Sequence, residues 1–231
     1  MKKEIQIIAH RGYHIGCKEN TIHAFRNISF LDERSFECDI RVTKDCKTII
    51  YHDDNINGKK IRKHTYKELK KENPELLPLK HLLEYAKSYD DYFINFEIKD
   101  FGHEKETIEL IKKYLDYDRY FISSFDKRVL NAIKKIDDKI KIGLLLIGKC
   151  SLIELFKSYV SLILNPQKYE LYDYLVLHYH IINLPGILYR YSNKVITWTV
   201  NDLVLFKKII NHKYHPLGVI TDKPGIFQTL L

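Results

Sequence analysis

Apolar residues along this chain of 231 residues recur in two alternating patterns. Short β-branched or aromatic runs predict buried strands, and stripes at helical spacing predict amphipathic helices. The predicted strands are 4–10, a run that begins at Ser35, 92–99, 120–123, 141–146, 174–178, 195–199 and 218–221. The predicted helices are 21–31, 79–86, 104–115, 126–136, 152–161, a short one from Pro185, 202–211 and one after Pro224. Such alternation favours a parallel sheet closed as a (β/α)8 barrel, in a single domain that covers 1–231.

The stretch 35–54 departs from this alternation, because a short turn separates two strand-like runs and predicts a β-hairpin after the second strand. Glu37 and Asp39 are two residues apart, so their side chains share one face of the strand. A turn centred on 45–46 would pair Asp39 with His52 and return this histidine to the carboxylate face. The alternative is that both carboxylates lie on a solvated strand face.

The predicted strands end in chemically reactive side chains. In barrels of this type the catalytic and ligand-binding residues lie at the C-terminal ends of strands. Those ends carry His10-Arg11, Glu37 with Asp39, Glu97 with Lys99, Ser123-Ser124, Trp198 and Thr221-Asp222. Three converging carboxylates would repel one another unless a cation compensated them, and oxygen ligands suit Mg²⁺ or Ca²⁺ better than zinc.

Composition and net charge restrict the class of binding partner only in part. The formal charge of +8, from 38 Lys and Arg against 30 Asp and Glu, suits an anionic partner. The basic run 59–71 is typical of a solvated face. The alternative interpretation is that it attracts anionic substrates electrostatically or makes a transient contact with a membrane surface. With Tyr66 as its only aromatic residue, this run gives little support to nucleic-acid binding, and no nucleic-acid partner is expected.

The chain shows no signal for secretion or membrane insertion. The segment MKKEIQIIAH lacks the apolar core of a signal peptide, and no apolar run approaches the ~20 residues that span a bilayer. Cys17, Cys38, Cys46 and Cys150 form no C-x-x-C pair, which predicts reduced thiols. We therefore expect a soluble, cytoplasmic protein, while its oligomeric state is not indicated.

Nine short motifs, taken in order, resemble those of the glycerophosphodiester phosphodiesterases, metal-dependent hydrolases built on a (β/α)8 barrel. They are HRG at 10–12, ENT at 19–21, E-x-D at 37–39, TKD at 43–45, HD at 52–53, FEIK at 96–99, SSFD at 123–126, WTVN at 198–201 and ITDKP at 220–224. The resemblance implies metal ligands at Glu37, Asp39 and Glu97, acid/base histidines at His10 and His52, phosphate-neutralising cations at Arg11 and Lys99, and an aromatic pocket residue at Trp198.

The resemblance also implies a reaction. The expected substrate is a small-molecule glycerophosphodiester, cleaved to glycerol 3-phosphate and an alcohol with one divalent cation, Mg²⁺ or Ca²⁺. A phospholipase D-type relative that cleaves lysolipids, or a non-catalytic phosphodiester-binding module, are the alternatives. Asn20 is a plausible N-cap of the helix 21–31, so helix capping alone would also explain the motif 19–21, and likewise Asn201. His178 and His180 are expected to be structural.

Three departures from the family pattern bear on the substrate. Lys18 stands where proline is usual before ENT, and Cys46 stands where glycine is usual after TKD. The segment 53–78 is short for a position at which many members insert a small cap. Because this segment is rich in lysine, we expect an open, positively charged mouth that accepts bulky diesters.

Overall fold

A computed structural model describes residues 5–32, 34–146 and 151–231 of the chain. Its strands are β1 (Gln6–Ala9), β2 (Ser35–Val42), β3 (Thr48–Ile50), β4 (Asn55–Ile56), β5 (Lys59–Lys60), β6 (Leu77–Pro78), β7 (Phe93–Ile98), β8 (Tyr120–Ser124), β9 (Ile142–Leu146), β10 (Tyr174–His178), β11 (Val195–Trp198) and β12 (Gly218–Thr221). Its α-helices are α1 (Ile22–Arg26), α2 (Tyr66–Glu72), α3 (Leu79–Ala86), α4 (Glu104–Lys112), α5 (Lys127–Ile136), α6 (Leu152–Leu164), α7 (Tyr179–Ile182), α8 (Ile187–Tyr191), α9 (Leu203–Ile210) and α10 (Pro224–Gln228). The predicted first residue of the first strand, Glu4, and Cys150 lie outside the described residues.

Eight parallel strands close into a barrel, as the sequence predicts. The order is β1-β2-β7-β8-β9-β10-β11-β12, and β12 returns to pair with β1, where Gln6 lies in register with Gly218. Branched aliphatic side chains and one phenylalanine fill the barrel interior: Ile8, Phe121, Leu145, Val176, Ile196 and Ile220. Closure therefore joins the two ends of the chain, and residues that follow β1 meet residues that follow β12.

Amphipathic helices cover the outside of the barrel. In α5 the stripe of Val129, Leu130 and Ile133 is buried, and α5 packs against β8 and β9. Ile136 continues the stripe in sequence but is 41% exposed, because it occupies the last turn of the helix. Truncating a fully buried residue such as Ile133 to alanine would cost about 2–5 kcal/mol.

The hairpin forms one residue out of the predicted register. The backbone N–H of Tyr51 donates to the carbonyl of Asp39, so Asp39 does not lie opposite His52. The loop has three residues, 44–46, and Cys46 adopts a left-handed backbone with φ of 58°. Three-residue hairpin loops place a left-handed residue at their last position, and the longer loop shifts the pairing of the strands.

The segment between β3 and α3 folds on a small core of its own. This core consists of Ile49, Ile56, Ile61, Leu69 and Leu76. The strands β4 and β5 form a separate two-stranded sheet, and α2 begins with a capping box in which Thr65 and Glu68 bind each other's backbone N–H groups. The segment that looks like a plain basic run in sequence is therefore an ordered layer beside the barrel.

Across the described ranges, no helix combines the length and apolar character needed to cross a bilayer.

Candidate active site

Three carboxylates converge on the neighbouring strands β2 and β7. Asp39 lies in register with Glu97, and Glu37 precedes Asp39 by two residues on the same face. Each residue offers one carboxylate oxygen, and these oxygens all lie within 4.8 Å of one another. Glu37 and Asp39 are 2% and 1% exposed. The structure thus brings together the three residues that the resemblance marks as metal ligands.

Two cations lie against this cluster. Lys99 Nζ is 2.9 Å from Asp39 Oδ1 and 2.5 Å from Glu97 Oε1, and Arg11 Nε is 3.2 Å from Asp39 Oδ2. Burial opposes ionisation of Asp39, but the charges of Lys99 and Arg11 outweigh it and hold the pKa of Asp39 below its usual value. Burial raises the pKa of Glu37 well above its usual value, and the nearby carboxylates of Asp39 and Glu97 raise it further. Three carboxylates against two cations leave the cluster short of positive charge.

A hard divalent cation fits what the cluster lacks. Among the described residues, no group donates a hydrogen bond to Glu37 Oε1, although this oxygen is buried. A buried carboxylate oxygen without a partner is unfavourable, and coordination by Mg²⁺ or Ca²⁺ would satisfy it. The ligand set consists of carboxylate oxygens and includes no thiolate, which is the choice expected for these ions and not for zinc.

The turn after β1 places Arg11 next to the carboxylates. Arg11 has a positive φ of 56°, and its backbone N–H donates to Glu37 Oε2 at 3.0 Å. Gly12 follows with φ of 83°, and a Cβ at this position would lie 3.0 Å from the backbone carbon of Ala24 in α1. The chain turns sharply here because glycine allows both the left-handed backbone and the close approach of α1.

The ENT motif supports the site, and helix capping explains only its last residue. Thr21 is the N-cap of α1, with its hydroxyl accepting from the N–H of Ala24, so the expectation that Asn20 caps this helix is wrong. Asn20 is 5% exposed, has a φ of 56°, and donates from Nδ2 to Asp39 Oδ2 at 2.7 Å. Glu19 Oε1 accepts from Arg11 Nη1 at 2.5 Å. The motif therefore orients one carboxylate and one cation of the cluster.

His10 is anchored by a carboxylate from the other end of the chain. His10 Nδ1 lies 2.7 Å from Asp222 Oδ1, and Asn201 donates from Nδ2 to Asp222 Oδ2 at 2.5 Å. His14 Nε2 lies 3.4 Å from Asp222 Oδ1. Burial opposes ionisation of Asp222, but its hydrogen bonds to His10 and His14 hold its pKa far below its usual value. Asn201 is not the cap of α9, because Asp202 accepts from the backbone there.

His52 reaches the same cavity although the hairpin register differs from the prediction. It follows the end of β3, where strict alternation of side chains no longer applies, and its carbonyl accepts from Arg41 Nε at 2.9 Å. Its Nδ1 lies 2.8 Å from Asp53 Oδ1, so both site histidines have Nδ1 engaged with a carboxylate. Burial lowers the pKa of His52, and Lys99 and Arg11 lower it further against the opposing charge of Asp39.

One cavity of about 310 Å³ connects these groups. Its lining consists of His10, Arg11, Glu37, His52, Asn95, Glu97, Lys99, Phe125, Leu145, Trp198 and Ile220. The indole N–H of Trp198 donates to the carbonyl of Val176 at 3.1 Å, and the ring meets Phe125 edge-on at 5.7 Å between centroids. His178 packs against Trp198 at 5.4 Å and is not among the described residues that line the cavity.

The basic segment contributes none of its four cations at 59–63 to the described lining of this cavity. Lys59 pairs with Glu72 at 2.6 Å, and Arg62 donates to the carbonyl of Phe101 at 2.5 Å. In the part of the chain that the structure describes, the cavity lining includes none of Lys59, Lys60, Arg62 and Lys63. The positively charged mouth expected from this run therefore stays a prediction, and Arg62 is the cation of this run that contacts the loop after Lys99.

Sequence reasoning identified most of the lining but missed two supporting residues. Asp222 and Asn201 stand in recognisable motifs, yet their joint role depends on contact between β11, β12 and β1, which local sequence does not show. Barrel closure itself could have indicated this contact. Because β12 pairs with β1, the residue that follows β12, Asp222, must lie close to the residue that follows β1, His10.

Comparisons with known proteins agree with this geometry. The model of the glycerophosphoryl diester phosphodiesterase family matches residues 10–226. A glycerophosphodiester phosphodiesterase of Caldanaerobacter subterraneus subsp. tengcongensis is 30% identical, covering 97% of each chain. A solved glycerophosphodiester phosphodiesterase of Thermotoga maritima is 27% identical, with a TM-score of 0.79 and complete coverage of both chains. A phosphodiesterase of Oleispira antarctica, solved with the product sn-glycerol-3-phosphate, is 23% identical with a TM-score of 0.75, covering 97% of this chain and 95% of that one.

Proposed function

This chain belongs to the glycerophosphoryl diester phosphodiesterase family, and from this membership we propose that it hydrolyses a glycerophosphodiester to glycerol 3-phosphate and an alcohol. One observation carries the proposal: a cluster of three carboxylates, two of them buried, lies with two cations and two carboxylate-anchored histidines at or beside one cavity. The product held by the Oleispira antarctica enzyme, which has the same fold, is consistent with this reaction.

In this proposal Glu37, Asp39 and Glu97 hold one divalent cation, Mg²⁺ or Ca²⁺. When bound, such a cation supplies positive charge that stabilises the developing charge on phosphoryl oxygens. Arg11 and Lys99 contribute further positive charge from the same wall of the cavity. Because a phosphodiester repels nucleophiles through its own negative charge, this neutralisation lowers the barrier to attack.

The two histidines divide the proton transfers. One removes the proton from the attacking oxygen, which belongs to water or to the neighbouring glycerol hydroxyl, and the other protonates the leaving alkoxide. His10 and His52 each have Nδ1 engaged, with Asp222 and Asp53 respectively, so each presents Nε2 to the substrate. Trp198 forms an apolar wall against which the glycerol carbons can pack.

We also propose that the protein works in the cytoplasm. Cys17, Cys38 and Cys46 are free thiols in the structure, as expected for a reducing compartment. Cell fractionation followed by thiol labelling would test this location, and recovery of the protein from an oxidising compartment would contradict it.

A panel of glycerophosphodiesters, assayed for release of glycerol 3-phosphate with Mg²⁺, Ca²⁺ or a chelator, tests the reaction. Replacing His10 or His52 by alanine should lower kcat by about 10²–10⁴-fold, which is the usual contribution of a positioned acid or base. His81→Ala, at an exposed position of α3, is the matched control and should keep the wild-type rate. Turnover near the wild-type value in His10→Ala or His52→Ala would contradict the role of that histidine.

A further inference from the structure

A second cavity, of about 470 Å³, lies next to the first one. His52 lines both cavities, so the two spaces lie on either side of one histidine. Glu19 and Asn20 also line the second cavity, and they contact Arg11 and Asp39 of the carboxylate cluster. We call this second cavity the side groove. It runs between the turn before α1 and the ordered segment that contains α2.

The side groove matches the shape of the substrate class. A phosphodiester has two arms, and this inference rests on the proposed function, in which the phosphoryl group lies between the carboxylate cluster and the histidines. The first cavity offers Trp198 and Phe125 to one arm, and the side groove is open to the other arm beyond His52. A site that cleaves a diester with a substantial alcohol needs such a second space.

The walls of the side groove favour a polar arm over an alkyl one. Three aliphatic residues on these walls, Ile50, Ile56 and Leu76, are each at most 2% exposed, so they offer little surface to a hydrocarbon chain. Pro74 is the exposed apolar residue of the lining. Apart from Pro74, the exposed or half-exposed residues carry hydrogen-bonding groups, as Tyr51 and Asn73 do. An apolar chain placed here would remove these polar groups from water without replacing their hydrogen bonds.

The charged residues of the side groove restrict the class of alcohol further. Four carboxylates line the side groove, against one lysine, Lys18: they are those of Glu19, Asp53, Glu72 and Glu75. Glu72 and Glu75 are each paired with a lysine, at 2.6 and 2.8 Å. A carboxylate has about four acceptor positions, so one lysine does not exhaust it, and exposed pairs of this kind are weak. Glu19 is likewise paired with Arg11, so Lys18, Lys59 and Arg11 offset three of the four carboxylate charges. The groove therefore presents hydrogen-bond acceptors and a small excess of negative charge.

We propose that the side groove binds the leaving alcohol of the diester. It selects alcohols that carry a hydrogen-bond donor, such as an ammonium group or a further hydroxyl group. Glu72 and Glu75 are the specificity-determining residues, because they lie on the wall formed by the end of α2 and the segment that follows it, and they do not contact the reacting groups. Anionic alcohols and long alkyl alcohols are poor substrates for the same reasons of charge and surface. This class is narrower than the bulky diesters that the sequence led us to expect.

The test compares three glycerol phosphodiesters whose alcohols are ethanolamine, propanol and methanol. Ethanolamine and propanol have the same number of heavy atoms and differ in an ammonium against a methyl group, whereas methanol is too small to enter the side groove. The variant Glu72→Gln/Glu75→Gln removes two charges from the groove. Its matched control, Glu84→Gln/Glu109→Gln, removes two carboxylates that form exposed i,i+4 pairs elsewhere.

We expect the ratio of kcat/KM for the ethanolamine diester to that for the propanol diester to fall roughly tenfold in Glu72→Gln/Glu75→Gln, the equivalent of about 1.4 kcal/mol. The fall should lie mainly in KM, and the methanol diester should be cleaved at the wild-type rate. Comparing variant with wild type cancels the better leaving ability of ethanolamine. The control variant should leave the ratio unchanged.

Two outcomes would overturn the inference in distinguishable ways. In the first, the ratio of kcat/KM values stays at the wild-type value in Glu72→Gln/Glu75→Gln while the methanol diester is still cleaved. This result would show that the groove does not discriminate between alcohols, and it would not affect the proposed function. Absence of hydrolysis of all three diesters by the wild-type protein would overturn the proposed function and this inference with it. Thermal unfolding of each variant identifies any loss of folded protein.

Discussion

The hydrogen bond between His10 and Asp222 is the contact whose removal tests the site most directly. Asp222→Asn keeps the shape of the side chain and removes its charge. The carboxylate lies 2.7 Å from the imidazole and is one third exposed, with Asn201 and His14 as further partners. Hydrogen bonds to charged groups contribute about 1.5–3 kcal/mol, so we expect kcat to fall roughly 10–150-fold.

The second histidine supplies a matched control. Asp53 makes the same type of contact with His52, at 2.8 Å, but its side chain is 67% exposed. Exposed ion pairs contribute about 0–1 kcal/mol, so Asp53→Asn should lower kcat by no more than about fivefold. The contrast between the two variants depends on burial, since residue change and bond length are nearly the same.

Steady-state kinetics with one glycerophosphodiester under saturating divalent cation would measure both variants. We expect the loss in Asp222→Asn to appear in kcat, with KM changed little, because Asp222 acts through His10 and not on the substrate. Thermal unfolding would verify that both variants remain folded. Equal losses in the two variants, or a wild-type kcat in Asp222→Asn, would refute the reasoning that a half-buried carboxylate positions His10.

Three further predictions follow from contacts described above. Glu37→Gln removes one of three crowded carboxylates, so it should raise the melting temperature of metal-free protein while abolishing the further rise that Mg²⁺ or Ca²⁺ gives wild type; a retained metal-induced rise would contradict its role as a ligand. The hydrogen bond from Lys112 lowers the pKa of Asp137 to about 2, so its stabilisation is present above about pH 4 and is lost as pH falls towards 2. Urea unfolding should therefore show Asp137→Asn to be less stable than wild type at pH 7, with the difference shrinking below pH 4. Gly12→Ala places a Cβ 3.0 Å from Ala24 at a positive φ and should cost about 1–3 kcal/mol of unfolding free energy; wild-type stability would contradict the described turn.

The barrel could be predicted from sequence because its signals are local. Apolar runs and helical stripes repeat along the chain, and the predicted strands 174–178 and 218–221 have the bounds that the structure shows. The carboxylates of Glu37 and Asp39 share a face by simple alternation. Features that depend on a single strand or a single helix could therefore be predicted from the sequence.

Interactions between distant segments could not be predicted in this way. The hairpin register depends on Cys46 accepting a left-handed backbone, which cysteine rarely does. Asn20 looks like a helix cap in sequence, but contact with Asp39 gives it a different role. The basic run conceals the small core that includes Ile61 and Leu69, because scattered apolar residues among lysines show no strong period.

Barrel closure sets an order in which the site can be completed during synthesis. Glu37, Asp39 and Glu97 all emerge from the ribosome within the first half of the chain, together with the neighbouring strands that carry them. Asp222 follows β12 and is made after all of them. A nascent chain that stops before β12 would possess the carboxylate cluster but would lack both the second neighbour of β1 and the partner of His10. The carboxylate cluster and the contact that anchors His10 would thus be completed at different times, and the second would have to wait for β12.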